Sequence, residues 1–66
     1  MEITLNGEAC QYEDKLTVQS LIEAKDLSGK RIAVEINLEI IPRSQFSSHV
    51  LCDGDRVEIV HAIGGG

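Results

Sequence analysis

One stretch of this chain carries apolar residues at helical spacing: behind Thr17, the residues Val18, Leu21 and Ile22 recur at i, i+3 and i+4. Thr17 is suited to accept a hydrogen bond from the unpartnered N–H groups of a first turn. The pattern predicts a short helix of about ten residues. It ends at Leu27-Ser28-Gly29, with Gly29 taking the left-handed position that closes many helices. A helix apolar on one face only must bury that face against another layer, and the remaining apolar residues say that the layer is a sheet.

Glu2-Ile3-Thr4-Leu5 alternates polar and apolar residues and then meets Asn6-Gly7, the dipeptide favoured where a two-residue hairpin turn needs positive φ. Glu8-Ala9-Cys10-Gln11-Tyr12 returns as a weaker strand. After the helix, Ile32, Val34 and Ile36 alternate with Ala33, Glu35 and Asn37, which defines a core face. Glu39-Ile40-Ile41 is a shorter strand closed by Pro42, because proline has no N–H for a central ladder. Residues 43–49 are polar apart from Phe46 and read as a turn or short helical loop anchored by that ring. Val50-Leu51-Cys52 leads into the turn Asp53-Gly54-Asp55. The last strand, Arg56 to His61, turns Val57 and Ile59 to the core and Val60 to the opposite face.

The order is hairpin, helix, two strands, loop, last strand. The economical packing is an α+β roll in which one mixed sheet covers one helix, the β-grasp or ubiquitin-like arrangement, with the last strand inside the sheet. Residues 1–63 are expected to form this domain and residues 64–66 a flexible glycine tail. Sixty-six residues allow one domain, and at this size only about 60% of the unfolded surface is buried, which leaves little for a deep catalytic cleft. A hydrophobic fraction of 42% fits a folded module.

Acidic residues outnumber basic ones eleven to six, for a formal charge of −5, and the six cations are scattered along the chain. Nucleic-acid binding leaves a basic footprint and often stacking aromatics, whereas Tyr12 and Phe46 are the aromatics here. Nucleic acid is therefore excluded as the expected partner, and a basic protein surface fits better. Cys10 and Cys52 have neither CxxC nor metal spacing and read as small, buried or half-buried hydrophobes, with a disulfide between them left open. No apolar run reaches membrane-span length and no signal peptide precedes the first strand, so the expected setting is cytoplasmic, without a membrane partner.

After the last strand the chain reads Ala62-Ile63-Gly64-Gly65-Gly66. Glycines have nothing to pack and lose the most entropy on ordering, so they suit a free tail better than a core. Such a tail offers the α-carboxylate of Gly66 on a slim stalk, with Gly64 and Gly65 able to thread a narrow channel. A frayed or truncated end is the alternative. Val60 and Ile63, apolar beside the tail, are the candidate partner contacts.

Taken together, these residues resemble the ThiS family, the sulfur carriers of thiamine (thiazole) biosynthesis. The resemblance spans the chain through Asn6-Gly7, Thr17-Val18 followed by Leu21-Ile22, Ala33-Val34-Glu35-Ile36-Asn37, Ile41-Pro42-Arg43, Asp53-Gly54-Asp55 and Gly65-Gly66. It implies a carrier that acts as a protein co-substrate. A ThiF-type, E1-like adenylyltransferase would adenylate the Gly66 carboxylate, a persulfide sulfur donor would convert it to a thiocarboxylate, and a ThiG-type thiazole synthase would receive the sulfur. The chain would need no cofactor or metal of its own and would be a monomer when free. It lacks the GxxxxGK[ST] loop that cradles phosphates, so ATP would be held by the partner.

Rival readings are the small subunit of molybdopterin synthase, other ubiquitin-like sulfur carriers or protein modifiers, and a plain β-grasp binding module. An independent enzyme is disfavoured, since His49 and His61 have no evident nucleophile or metal constellation around them. Asp53 and Asp55 read as turn formers, because the other positions of a Ca²⁺ loop are missing.

Overall fold

The computed structural model describes residues 1–62. Strand β1 (Glu2–Leu5) pairs antiparallel with β2 (Glu8–Gln11), helix α1 (Val18–Ala24) follows, and β3 (Ile32–Ile36) pairs antiparallel with β4 (Glu39–Ile41). A single 3-10 turn (Arg43–Gln45) precedes β5 (Arg56–His61). The sheet order is β2-β1-β5-β3-β4. The last strand fills the centre, parallel to β1 and antiparallel to β3. This is the mixed sheet on one helix that the element order predicts.

The alternation read from the sequence sorts the two faces. Ile3, Leu5, Val34, Ile36, Val57 and Ile59 are buried from the sheet, and Val18, Leu21 and Ile22 meet them from the helix. Ile41, Phe46 and Leu51 complete the core, so the Phe46 anchor holds the polar loop as expected. Each such side chain contributes roughly 1.5–3 kcal/mol on burial.

The helix is shorter than the sequence suggests, and its start is secured from outside. Thr17 Oγ1 accepts from Ser20 N–H, which makes Thr17 the N-cap. The Val18 and Gln19 N–H groups donate to the carbonyls of His49 and Phe46. The loop thereby satisfies donors that a helix of seven residues cannot pair internally. Its end also differs from expectation. Asp26, at φ 59, takes the left-handed position, and Leu27 N–H reaches back to the Ile22 carbonyl. That pair of features is the Schellman-type stop, and it tucks Leu27 against the core. Gly29, at φ +77, belongs to the turn after it.

Among the described residues no helix is long and apolar enough to cross a membrane. Cys10 is half-buried against the core, whereas Cys52 is exposed, contrary to the expectation of burial. Cys52 follows Leu51 directly, and only Leu51 turns inward there. Both thiols are free.

Candidate functional site

The site is the C-terminal end of β5, at the last of the described residues. On one side β5 is paired with β3 along its whole length, from Ile36↔Val57 to Ile32↔His61, and Ala62 N–H extends the ladder by donating to the Arg31 carbonyl at 2.9 Å. On the other side the parallel pairing with β1 covers only Thr4↔Arg56 and Leu5↔Val57. There β1 ends, because Asn6 (φ 50) and Gly7 (φ 84) turn the chain into β2. The backbone of β5 beyond Val57 would thus lose its partner on that flank.

Asparagine side chains take over at both ends of the strand. Asn6 N–H donates to the Val57 carbonyl at 2.9 Å, while the Asn6 carboxamide accepts from Ile59 N–H at 2.9 Å and donates to the Ile59 carbonyl at 3.2 Å. At the start of the strand Asn37 does the same for Arg56, accepting its N–H at 3.0 Å through Oδ1 and donating its own N–H to its carbonyl at 2.8 Å. Asn37 Nδ2 also donates to Asp55 Oδ1 at 3.0 Å. The sequence marked Asn6 as a turn residue only, and no local pattern announces a contact made 53 positions away.

The face of the sheet away from the helix carries Val60, 55% exposed, opposite Ala33. Beside that pair Glu35 stands opposite Glu58, two like charges in register. Ile40, 73% exposed, pairs with Glu35 and extends the same face outward, and Leu38 is 86% exposed at the adjoining turn. The combination is apolar side chains around an acidic pair. Val60 is where alternation places it. Ile40 is not legible in the sequence, because two adjacent isoleucines leave the facing ambiguous; the pairing Val34↔Ile41 settles it by sending Ile41 inward at 8% exposure. The other candidates of the tail, Ile63, Gly64, Gly65 and Gly66, lie outside the described residues.

Other polar residues serve the frame. Asp55 Oδ2 accepts from Cys52 N–H at 2.9 Å within the turn, as expected of a turn former, whereas Asp53 Oδ1 accepts from Glu2 N–H at 2.7 Å and ties the turn to the start of β1. His49 sits in the loop that caps the helix and His61 at the end of β5, in separate elements. Among the described residues no three His, Cys, Asp or Glu side chains gather into a metal-sized group. On the helix side, the fold brings Lys30 and Arg43 together, distant in sequence, at a shallow cleft of about 150 Å³ that Ile22, Ile32 and Phe46 also line.

Residues 3–66 match the model of the ThiS family, a match that includes the glycine end. The chain is 40% identical over 65 residues to the sulfur carrier protein ThiS of Bacillus subtilis, covering 97% of this chain and 98% of that one. It is 39% identical over 66 residues to a thiazole synthase of Paramagnetospirillum magneticum, covering all of this chain but only 20% of that protein. The crystal structure of the thiamine biosynthesis protein ThiS from Geobacter metallireducens superposes with a TM-score of 0.87 at 32% identity, each chain covered completely.

Proposed function

Because this chain belongs to the ThiS family, we propose that it is the sulfur carrier for thiazole formation in thiamine biosynthesis, and that its working group is the Gly66 carboxylate. It acts as a protein co-substrate. An α-carboxylate is anionic at neutral pH and is a competent nucleophile toward the α-phosphorus of ATP once the phosphate charge is neutralised. Attack forms the acyl-adenylate and releases pyrophosphate. The outer sulfur of a persulfide donor then attacks the acyl carbon and AMP leaves, and a thiol that splits the resulting acyl disulfide frees the thiocarboxylate.

A ThiF-type, E1-like enzyme supplies the nucleotide site, and a ThiG-type thiazole synthase takes the sulfur. The relationship to a thiazole synthase with a region like this chain supports that second partner. Val60 and Ile63 give the apolar contact beside the tail, Gly64 and Gly65 pass through the partner's channel, and Glu35 and Glu58 favour a basic docking surface. Free thiols at Cys10 and Cys52 suit a reducing cytoplasm.

The observation that carries this reading is the placement of β5: the central strand is held from the β1 side as far as Ile59 and from the β3 side as far as Ala62, directly before Ile63 and the three glycines. The rival small subunit of molybdopterin synthase is disfavoured by the full-length match to the thiazole branch.

Deletion of Gly66 tests the proposal. The truncated chain is expected to melt at the original temperature and still bind the activating enzyme through Val60 and Ile63, yet to form no AMP adduct with ATP, read by intact mass. A truncated chain adenylated at the normal yield would refute the assignment.

A further inference from the structure

We infer that Asn6 is a positioning residue for the delivery of the chain's end, an inference that rests on the carrier reading above. Beyond Val57, β5 has no backbone partner from β1, since β1 has turned into the hairpin. The Asn6 carboxamide presents a carbonyl oxygen and an N–H in the manner of one more peptide unit of β1, and it bonds both polar backbone groups of Ile59 at 2.9 and 3.2 Å. Ile59 is the last buried residue of the strand.

Among the described residues, the strand after Ile59 is held from the β3 flank alone, through His61 opposite Ile32 and Ala62 N–H on Arg31. A strand bonded on one flank can pivot about that ladder, whereas one bonded on both flanks has its direction fixed. The Asn6 amide therefore sets where two-sided restraint stops and the direction in which residues 60–62 run along β3. Misdirection of a reacting group by about 1 Å can slow a positioned reaction by as much as about a hundredfold. The carboxylate lies four positions beyond Ala62 in the sequence, so a smaller effect is expected here.

Asn37 supplies an internal control. Its side chain bonds the Arg56 N–H and its backbone the Arg56 carbonyl, at the far end of the same strand. Glycine at either position keeps the positive φ of the turn and removes only the side chain. Asn6→Gly and Asn37→Gly are compared with the unaltered chain for melting temperature, for amide exchange at Ile59, and for the single-turnover rate of AMP-adduct formation by the activating enzyme.

The expected result is that Asn6→Gly loses exchange protection at Ile59 and is adenylated about three- to tenfold more slowly at saturating enzyme. Asn37→Gly is expected to melt lower to a similar degree while being adenylated at the original rate. A merely structural role predicts that both variants slow alike, and that outcome overturns the inference. So does an Asn6→Gly variant loaded at the rate of the unaltered chain. An unaltered chain that forms no adduct at all overturns the carrier reading, and this inference with it.

Discussion

The two hairpin turns of this molecule are built to the same plan from different residues. Asn6-Gly7 joins Leu5 to Glu8, and Asn37-Leu38 joins Ile36 to Glu39, each a two-residue loop with both residues at positive φ. In each, the first residue is an asparagine whose carboxamide reaches β5. The difference is the second residue. Gly7 adopts φ 84 without a Cβ to strain, while Leu38 adopts φ 73 with a branched side chain 86% exposed. An L-residue in this region costs roughly 1–2 kcal/mol, and Leu38 makes no core contact to offset it. Turn geometry is thus imposed by the strands and by the clamp on β5, and local preference is overridden where it disagrees.

Placing a side chain at the favourable turn should abolish the difference between the two. Gly7→Val puts a β-branched residue at φ +84 and is expected to destabilise the domain by about 2 kcal/mol, read from urea melts. No shift in the midpoint would mean that the first turn can rearrange. A smaller loss is expected for Asn37→Ala, about 1–2 kcal/mol, because exposed hydrogen bonds to Arg56 and Asp55 are removed and alanine tolerates positive φ poorly. Equal stability of that variant would show that the Asn37 clamp is idle. The smallest change is a gain. Leu38→Gly makes the second turn chemically identical to the first, and relief of strain less the entropy of glycine should leave about 0.5–1 kcal/mol of added stability. A loss would mean that Leu38 packs on its neighbours despite its exposure.

The same pair of turns shows what the sequence could and could not disclose. Asn6-Gly7 announces a hairpin by itself, and the alternation around Val34 and Val57 fixes the buried face without further information. Asn37-Leu38 announces nothing, because its conformation comes from the pairing of β3 with β4 rather than from its own residues. The helix shows a similar division. Thr17 was readable as a cap because its partner is three residues away, whereas the stop at Asp26 follows from the need to bring Leu27 onto the core. At the candidate site Val60 followed from period two. The clamp of Asn6 on Ile59 joins positions near opposite ends of the chain, and such a contact exists only once the sheet has closed.

The central placement of β5 also has a mechanical consequence. A pull on the end of the chain that runs along the axis of β5 meets hydrogen bonds to β1 and β3 that lie across that axis. A tug in this direction loads those bonds in shear, all at once, where the same force on an edge strand pulled sideways would open them one after another. Under the proposed threading, a partner drawing the end along that axis would pull against the whole sheet and move the domain as a body before peeling any strand from it.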